Sequence, residues 1–109
     1  EKGKKVESLI SDISNEIYSH MLTVSEVVSK ATRRNMDAEK AFDAVAMSRL
    51  LHIDASSAKE AGLFRAEMRK TVKDFGLTDA FILIAARKIN ARIITGDPHF
   101  KSFRETIMI

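Results

Sequence analysis

The chain has 109 residues, with 18 Lys and Arg against 15 Asp and Glu for a formal charge of +3, a size that suits one modest domain over residues 1–109. At 45% hydrophobic and 30% charged residues it is too apolar for a disordered tail, and its longest apolar run, Ala80–Ala86, is too short to cross a bilayer. The absence of cysteine excludes disulfides, thiolate catalysis, iron–sulfur clusters and cysteine-bearing zinc sites, and His20, His52 and His99 never pair at i, i+4, so any metal is expected to be a hard one held by oxygens.

In chain order, Val6, Leu9, Ile10 and Ile13 recur at helical spacing, which predicts a surface helix over Lys4–Asp12. Ile17–Leu22 is rich in β-formers and reads as a short strand. Thr23 with Glu26 three residues on has the pattern of a capping box, opening a helix that carries Val24, Val27, Val28 and Ala31 on one face. Arg33-Arg34-Asn35 suits its end, since cations favour a helix C-terminus and Asn tolerates a left-handed backbone. Asp37 is a good N-cap for a helix with an Ala38, Ala41, Phe42, Val45, Ala46 stripe, and Leu50–Asp54 resembles a second strand.

Ser57 and Glu60 form another capping pattern, and a stripe of Ala61, Phe64, Met68 and Phe75 leads to Gly76, placed to close that helix. Thr78 can cap a helix through Ile89, whose Ala80–Ala86 run is apolar all round and should be buried on more than one side. Ala91–Thr95 is a third strand, Gly96-Asp97-Pro98 a turn, His99–Phe103 a short helical turn, and Thr106–Ile109 a fourth strand. Short apolar strands alternating with helices argue an α/β sandwich on a mainly parallel sheet, without repeats or linkers.

In open α/β sheets a ligand sits beyond the carboxyl ends of the strands. Three acids fall there: Glu26 after the first strand, Asp79 in the first turn of the apolar helix, and Asp97 two residues past the third strand. Each has an ordinary alternative. Glu26 can be a capping-box member, Asp79 a charge favouring a helix N-terminus, and Asp97 the start of an Asp-Pro turn. Yet Asp79 shares its stripe with Leu83, Ala86 and Asn90, which turns the carboxylate inward, and clustered carboxylates repel unless a divalent cation neutralises them. Thr95 can brace the Asp97 loop by hydrogen bonding, and His99 reads as structural, anchored by Phe100 and Phe103. Residues 56–109 carry 10 basic and 6 acidic side chains against 8 and 9 before them. Within that half Arg65, Arg69 and Lys73 recur every four residues, a stripe that can contact phosphates or simply face solvent.

Thr-Val-Ser-Glu-Val-Val at 23–28, Leu-Thr-Asp-Ala-Phe-Ile-Leu-Ile-Ala-Ala at 77–86 and Ala-Arg-Ile-Ile-Thr-Gly-Asp-Pro-His-Phe at 91–100 resemble, in order and spacing, the three later motifs of the PIN-domain nucleases, a family that includes the VapC toxins of toxin–antitoxin pairs. The resemblance runs along essentially the whole chain, and Thr-x-Asp-x-His-Phe is its most specific part. It implies a PIN-like three-layer sandwich and a ribonuclease using Mg²⁺ or Mn²⁺ on Glu26, Asp79 and Asp97. It further implies RNA as substrate, an antitoxin partner and homodimerisation, while the absence of cysteine and the shortness of the apolar run lead to the expectation of a cytoplasmic location and no membrane. The family begins with a central strand ending in Asp, whereas this sequence opens on Glu1 at what reads as the following helix. The expectation is therefore that the first strand is absent from the chain and that the chain as written is inactive. A non-catalytic RNA- or protein-binding scaffold of the same fold is the alternative. A phosphoacceptor or small-ligand α/β domain is disfavoured, because there is no acidic pair with a matching Lys and no glycine-rich phosphate loop.

Overall fold

The computed structural model describes residues 2–12 and 16–109, apart from the side chains of residues 2, 3, 10 and 11. The chain divides into two compact units, one formed by Glu1–Ser11 with Asp54–Ile109 and the other by Asp12–Ile53.

The unit spanning Asp12–Ile53 holds β1 (Tyr18–His20), α2 (Met21–Arg33), α3 (Ala38–Ala46) and β2 (Arg49–Leu51), numbered after α1 (Lys2–Ser11) of the other unit. The two strands pair in parallel, Tyr18 opposite Arg49 and His20 opposite Leu51, with the helices as the crossover that a parallel pair requires. Helix α2 begins three residues earlier than the Thr23 pattern predicts, because the His20 imidazole serves as its cap: Nδ1 accepts the Leu22 N–H at 3.1 Å. Thr23 and Glu26 therefore lie inside the helix, and Glu26, its sixth residue, is too deep for a capping box. The far end follows the sequence, with Asn35 in the left-handed region at φ 55°. Asp37 caps α3 as expected, accepting the N–H groups of Glu39 and Lys40.

The other unit holds α1 (Lys2–Ser11), α4 (Ala55–Met68), α5 (Leu77–Lys88), β3 (Ile93–Thr95), a single tight helical turn at Pro98–Phe100, and β4 (Thr106–Met108). Of the stripe expected on α1, the side chain of Ile10 and the whole of Ile13 lie outside the described residues. Lys5 Nζ on α1 donates to the Met108 carbonyl at 2.7 Å. Strands β3 and β4 are again parallel, Ile93 opposite Thr106 and Thr95 opposite Met108. The described strands thus form two two-stranded parallel sheets, one in each unit, in a helix-rich α/β chain.

Three helix boundaries in this unit differ from the sequence reading. Asp54, not Ser57, caps α4, its carboxylate accepting the Ser57 N–H at 2.7 Å. An ionised acceptor at that position outcompetes a hydroxyl three residues later. Helix α4 stops at Met68, and Gly76 opens α5 rather than closing α4, its backbone extended at φ −84° and ψ 157°. Thr78 consequently lies within α5. Along α5 only Ala80, Leu83 and Ala86 are buried, and their flanking apolar neighbours Phe81, Ile82, Ile84 and Ala85 are half-buried.

The core of this unit sits where α4 and α5 meet the strands. Leu83, Ala86, Ile93 and Phe100 form one buried group and Ala61, Phe75 and Ala80 another, both packed against Phe64 and Phe103. The rings of Phe64, Phe75 and Phe103 lie 5.8–6.1 Å apart in edge-on or tilted contact, a favourable arrangement for aromatic quadrupoles. This packing fixes the N-terminus of α5, the segment before it and the exit of β3 within one framework.

Candidate metal centre

Asp79 is the third residue of α5, where a carboxylate can fold back on the helix entrance. One of its oxygens accepts the Gly76 N–H at 3.4 Å, and a Cβ at position 76 would stand 3.4 Å from that same oxygen. The side chain is 18% exposed, so it points inward as its stripe predicts. Burial pushes its carboxyl above the ordinary value, and the negative charge of Asp97 adds to the rise, while the Gly76 N–H and His99 oppose it.

Asp97 follows β3 and opens the tight turn, its Oδ1 accepting the His99 N–H at 2.9 Å. The Asp97 N–H in turn donates to Thr95 Oγ1 at 3.0 Å, the bracing expected of that hydroxyl. The turn delivers His99 between three carboxylates. Its Nε2 lies 3.1 Å from Asp74 Oδ2, while Nδ1 lies 3.2 Å from Asp97 Oδ1 and 3.5 Å from Asp79 Oδ2. The hydrogen bond to Asp74 raises the His99 pKa above its ordinary value; burial opposes that, and the charges of Asp97, Asp74 and Asp79 reinforce it. Reciprocally, His99 holds the exposed Asp74 carboxyl below the usual carboxylate range.

One ligand atom from each of Asp79, Asp97 and His99 lies within 4.8 Å of the others. The donor set fits a divalent cation on two counts. Asp79 and Asp97 repel each other in a half-buried setting, and His99 Nδ1 is shielded from solvent beside their oxygens. A cation between them would answer the repulsion and take the place of the proton through which Nδ1 pairs with Asp97 and Asp79.

The sequence singled out Asp79 and Asp97, and the structure brings them together. Glu26 belongs to the other unit, exposed on α2 beside Ser25, Ser29, Lys30 and Arg33. Arg65, Arg69 and Lys73 do not make a helical stripe, because α4 ends at Met68. Arg65 is half-buried, with a solvent-shielded Nε that makes no hydrogen bond, whereas Arg69 and Lys73 are exposed. His99, expected to be structural, lies among the carboxylates of Asp74, Asp79 and Asp97, and Asp74 is not among the residues the sequence points to. The available signal for His99 was its place in an Asp-Pro-His turn, which sets it on the same edge as Asp97; nothing local marked Asp74.

A parallel α/β framework thus gathers acids beyond a strand end and at a helix entrance into a cluster that could hold a metal ion. The chain belongs to the PIN domain family, whose model matches residues 1–105 and so runs through both compact units. PIN domains are generally nucleases that use divalent metals and act on nucleic acids. Comparison with curated proteins and with solved structures gave no match. No described helix is long and apolar enough to cross a membrane.

Proposed function

We propose that this chain provides the catalytic domain of a metal-dependent endoribonuclease of the VapC type, the toxin of a toxin–antitoxin pair, acting as a cytoplasmic homodimer. The observation that carries this reading is the convergence of Asp79 and Asp97, from separate elements, around one solvent-shielded nitrogen. The metal would be Mg²⁺ or Mn²⁺, held by Asp79 and Asp97; Glu26 joins them on the motif resemblance alone. A bound divalent cation supplies Lewis-acid polarisation of the scissile phosphate and lowers the pKa of the attacking water.

The chain's own residues prepare that chemistry. Asp79 and Asp97 hold negative charge in a partly dry setting, where its attraction for a cation is strengthened. Thr95 fixes the backbone at Asp97 through its hydroxyl. Arg69 and Lys73 are exposed cations of the same unit that can meet substrate phosphates, a role in which the half-buried Arg65 contributes less. The preference for RNA over DNA rests on the resemblance to the toxins.

The test uses the full-length protein on a labelled single-stranded RNA with Mn²⁺ or Mg²⁺. We expect endonucleolytic cleavage that chelator abolishes and that Asp79→Asn and Asp97→Asn each reduce by about 100-fold or more, the scale on which losing one charge-stabilising group acts. Arg69→Ala with Lys73→Ala should weaken RNA binding and flatten its salt dependence. RNA that is bound undiminished by all these variants and never cut would identify a scaffold instead.

A further inference from the structure

The carboxylates account for two donors, but the third, His99, has features that an oxygen-only Mg²⁺ site has no use for. Its Nδ1 is shielded from solvent and has as its neighbours the oxygens of Asp97 and Asp79 at 3.2 and 3.5 Å, with which it pairs when the ring is protonated and beside which a cation could replace that proton. Around an ion with ligand bonds near 2.1 Å, adjacent octahedral ligands stand about 3 Å apart, so these separations are close to those of neighbouring donors on one cation.

The other ring nitrogen is engaged. Nε2 lies 3.1 Å from Asp74 Oδ2, the arrangement in which a histidine gives its N–H to a carboxylate and turns the opposite lone pair toward a metal. Asp74 is 80% exposed, so its hold on His99 is not a by-product of core packing. Its position is nonetheless fixed, because the next residue, Phe75, is fully buried among Phe64 and Phe103. The backbone hydrogen bond from His99 N to Asp97 Oδ1 sets the ring beside that carboxylate.

We infer that His99 Nδ1 is a direct nitrogen ligand of the metal centre, oriented by Asp74, and that it biases the centre toward Mn²⁺ over Mg²⁺. The inference rests on the metal-centre reading above and extends it to a metal-selecting pair, Asp74 and His99. Imidazole is a good donor to first-row transition ions, whereas Mg²⁺ favours an all-oxygen shell.

The experiment reads metal binding rather than cleavage. Mn²⁺ is titrated into the full-length protein and its Kd taken from loss of the free-ion electron paramagnetic resonance signal, with Mg²⁺ measured by competition. Pulsed resonance on the bound ion then reports nitrogen coupling. We expect an imidazole ¹⁴N coupling in the wild type and none in His99→Gln. We also expect Mn²⁺ affinity to fall about 10- to 100-fold in Asp74→Asn, as for other losses of an orienting carboxylate, with Mg²⁺ affinity changing much less.

Bound Mn²⁺ that is lost in Asp97→Asn but shows no nitrogen coupling would overturn the role of His99 and leave the carboxylate centre standing. Coupling that survives in His99→Gln would overturn it too, by assigning the nitrogen elsewhere. No Mn²⁺ binding at all would overturn both readings. Should His99→Gln fail to fold, the wild-type coupling together with the exposed-site variant Asp74→Asn decides the matter.

Discussion

At the scale of single residues, Asp79 illustrates a conflict between stability and function. Its inward carboxylate is raised in pKa first by burial and then by Asp97, so its ionised form costs the folded state free energy when no cation is present. Asp79→Asn removes that cost and keeps an oxygen able to accept the Gly76 N–H. We therefore expect this variant in chelator to melt about 2–4 °C above the wild type, and to lose the rise in Tm that Mn²⁺ gives the wild type. Differential scanning calorimetry with and without Mn²⁺ checks both halves, and a metal-dependent rise of the same size in the variant would remove Asp79 from the centre. The two aspartates were legible because each had a positional reason to face one sheet edge. Asp74 was not, because its approach to His99 depends on where α4 stops, and the stripe through Met68 and Phe75 read as continuous helix.

At the scale of elements, the helix entrances show which local signals survive folding. Asp37 caps α3 where the sequence placed it, since no stronger acceptor lies upstream. At α4 and α2 the helix starts earlier than the Ser or Thr pattern indicates, because Asp54 and His20 already offer acceptors. The His20 cap has a consequence with pH. Its Nδ1 must be unprotonated to accept the Leu22 N–H, and burial lowers its pKa below the ordinary 6.5. The folded state thus excludes a proton that the unfolded chain binds. The stabilisation is fully present above about pH 6.5 and diminishes as pH falls below it. His20→Asn keeps a capping oxygen without a titrating group. Thermal melts followed by circular dichroism at pH 8 and pH 5.5 should show a larger loss of Tm for the wild type than for His20→Asn. Equal losses would mean that the cap does not sense pH.

At the scale of the whole molecule, the alternation of helices with short apolar runs specified an α/β chain with parallel strands, and the family match over residues 1–105 agrees with it. What that alternation does not encode is how the strands group, because runs of three residues lack the length to fix a partner by pattern. The aromatic packing of Phe64, Phe75 and Phe103 is likewise a tertiary fact, and it couples stability to the site. Phe75 is completely buried, and its neighbours along the chain are Asp74, which holds His99, and Gly76, which holds Asp79. Truncation to Ala would cost about 3–5 kcal/mol, a large share of a small domain's stability, and would report only on unfolding. Phe75→Leu is the informative change. It keeps an apolar side chain, costs about 1–2 kcal/mol and should lower Tm by roughly 4–15 °C while leaving a cooperative transition. Because the ring no longer pins the segment, Asp74 and the α5 entrance gain freedom, and Mn²⁺ affinity should fall even at temperatures where the variant is fully folded. Titration of Mn²⁺ at 10 °C beside a calorimetric melt separates the two effects. A variant that melts early but binds Mn²⁺ as tightly as the wild type would show that the core supports the fold without positioning the metal ligands.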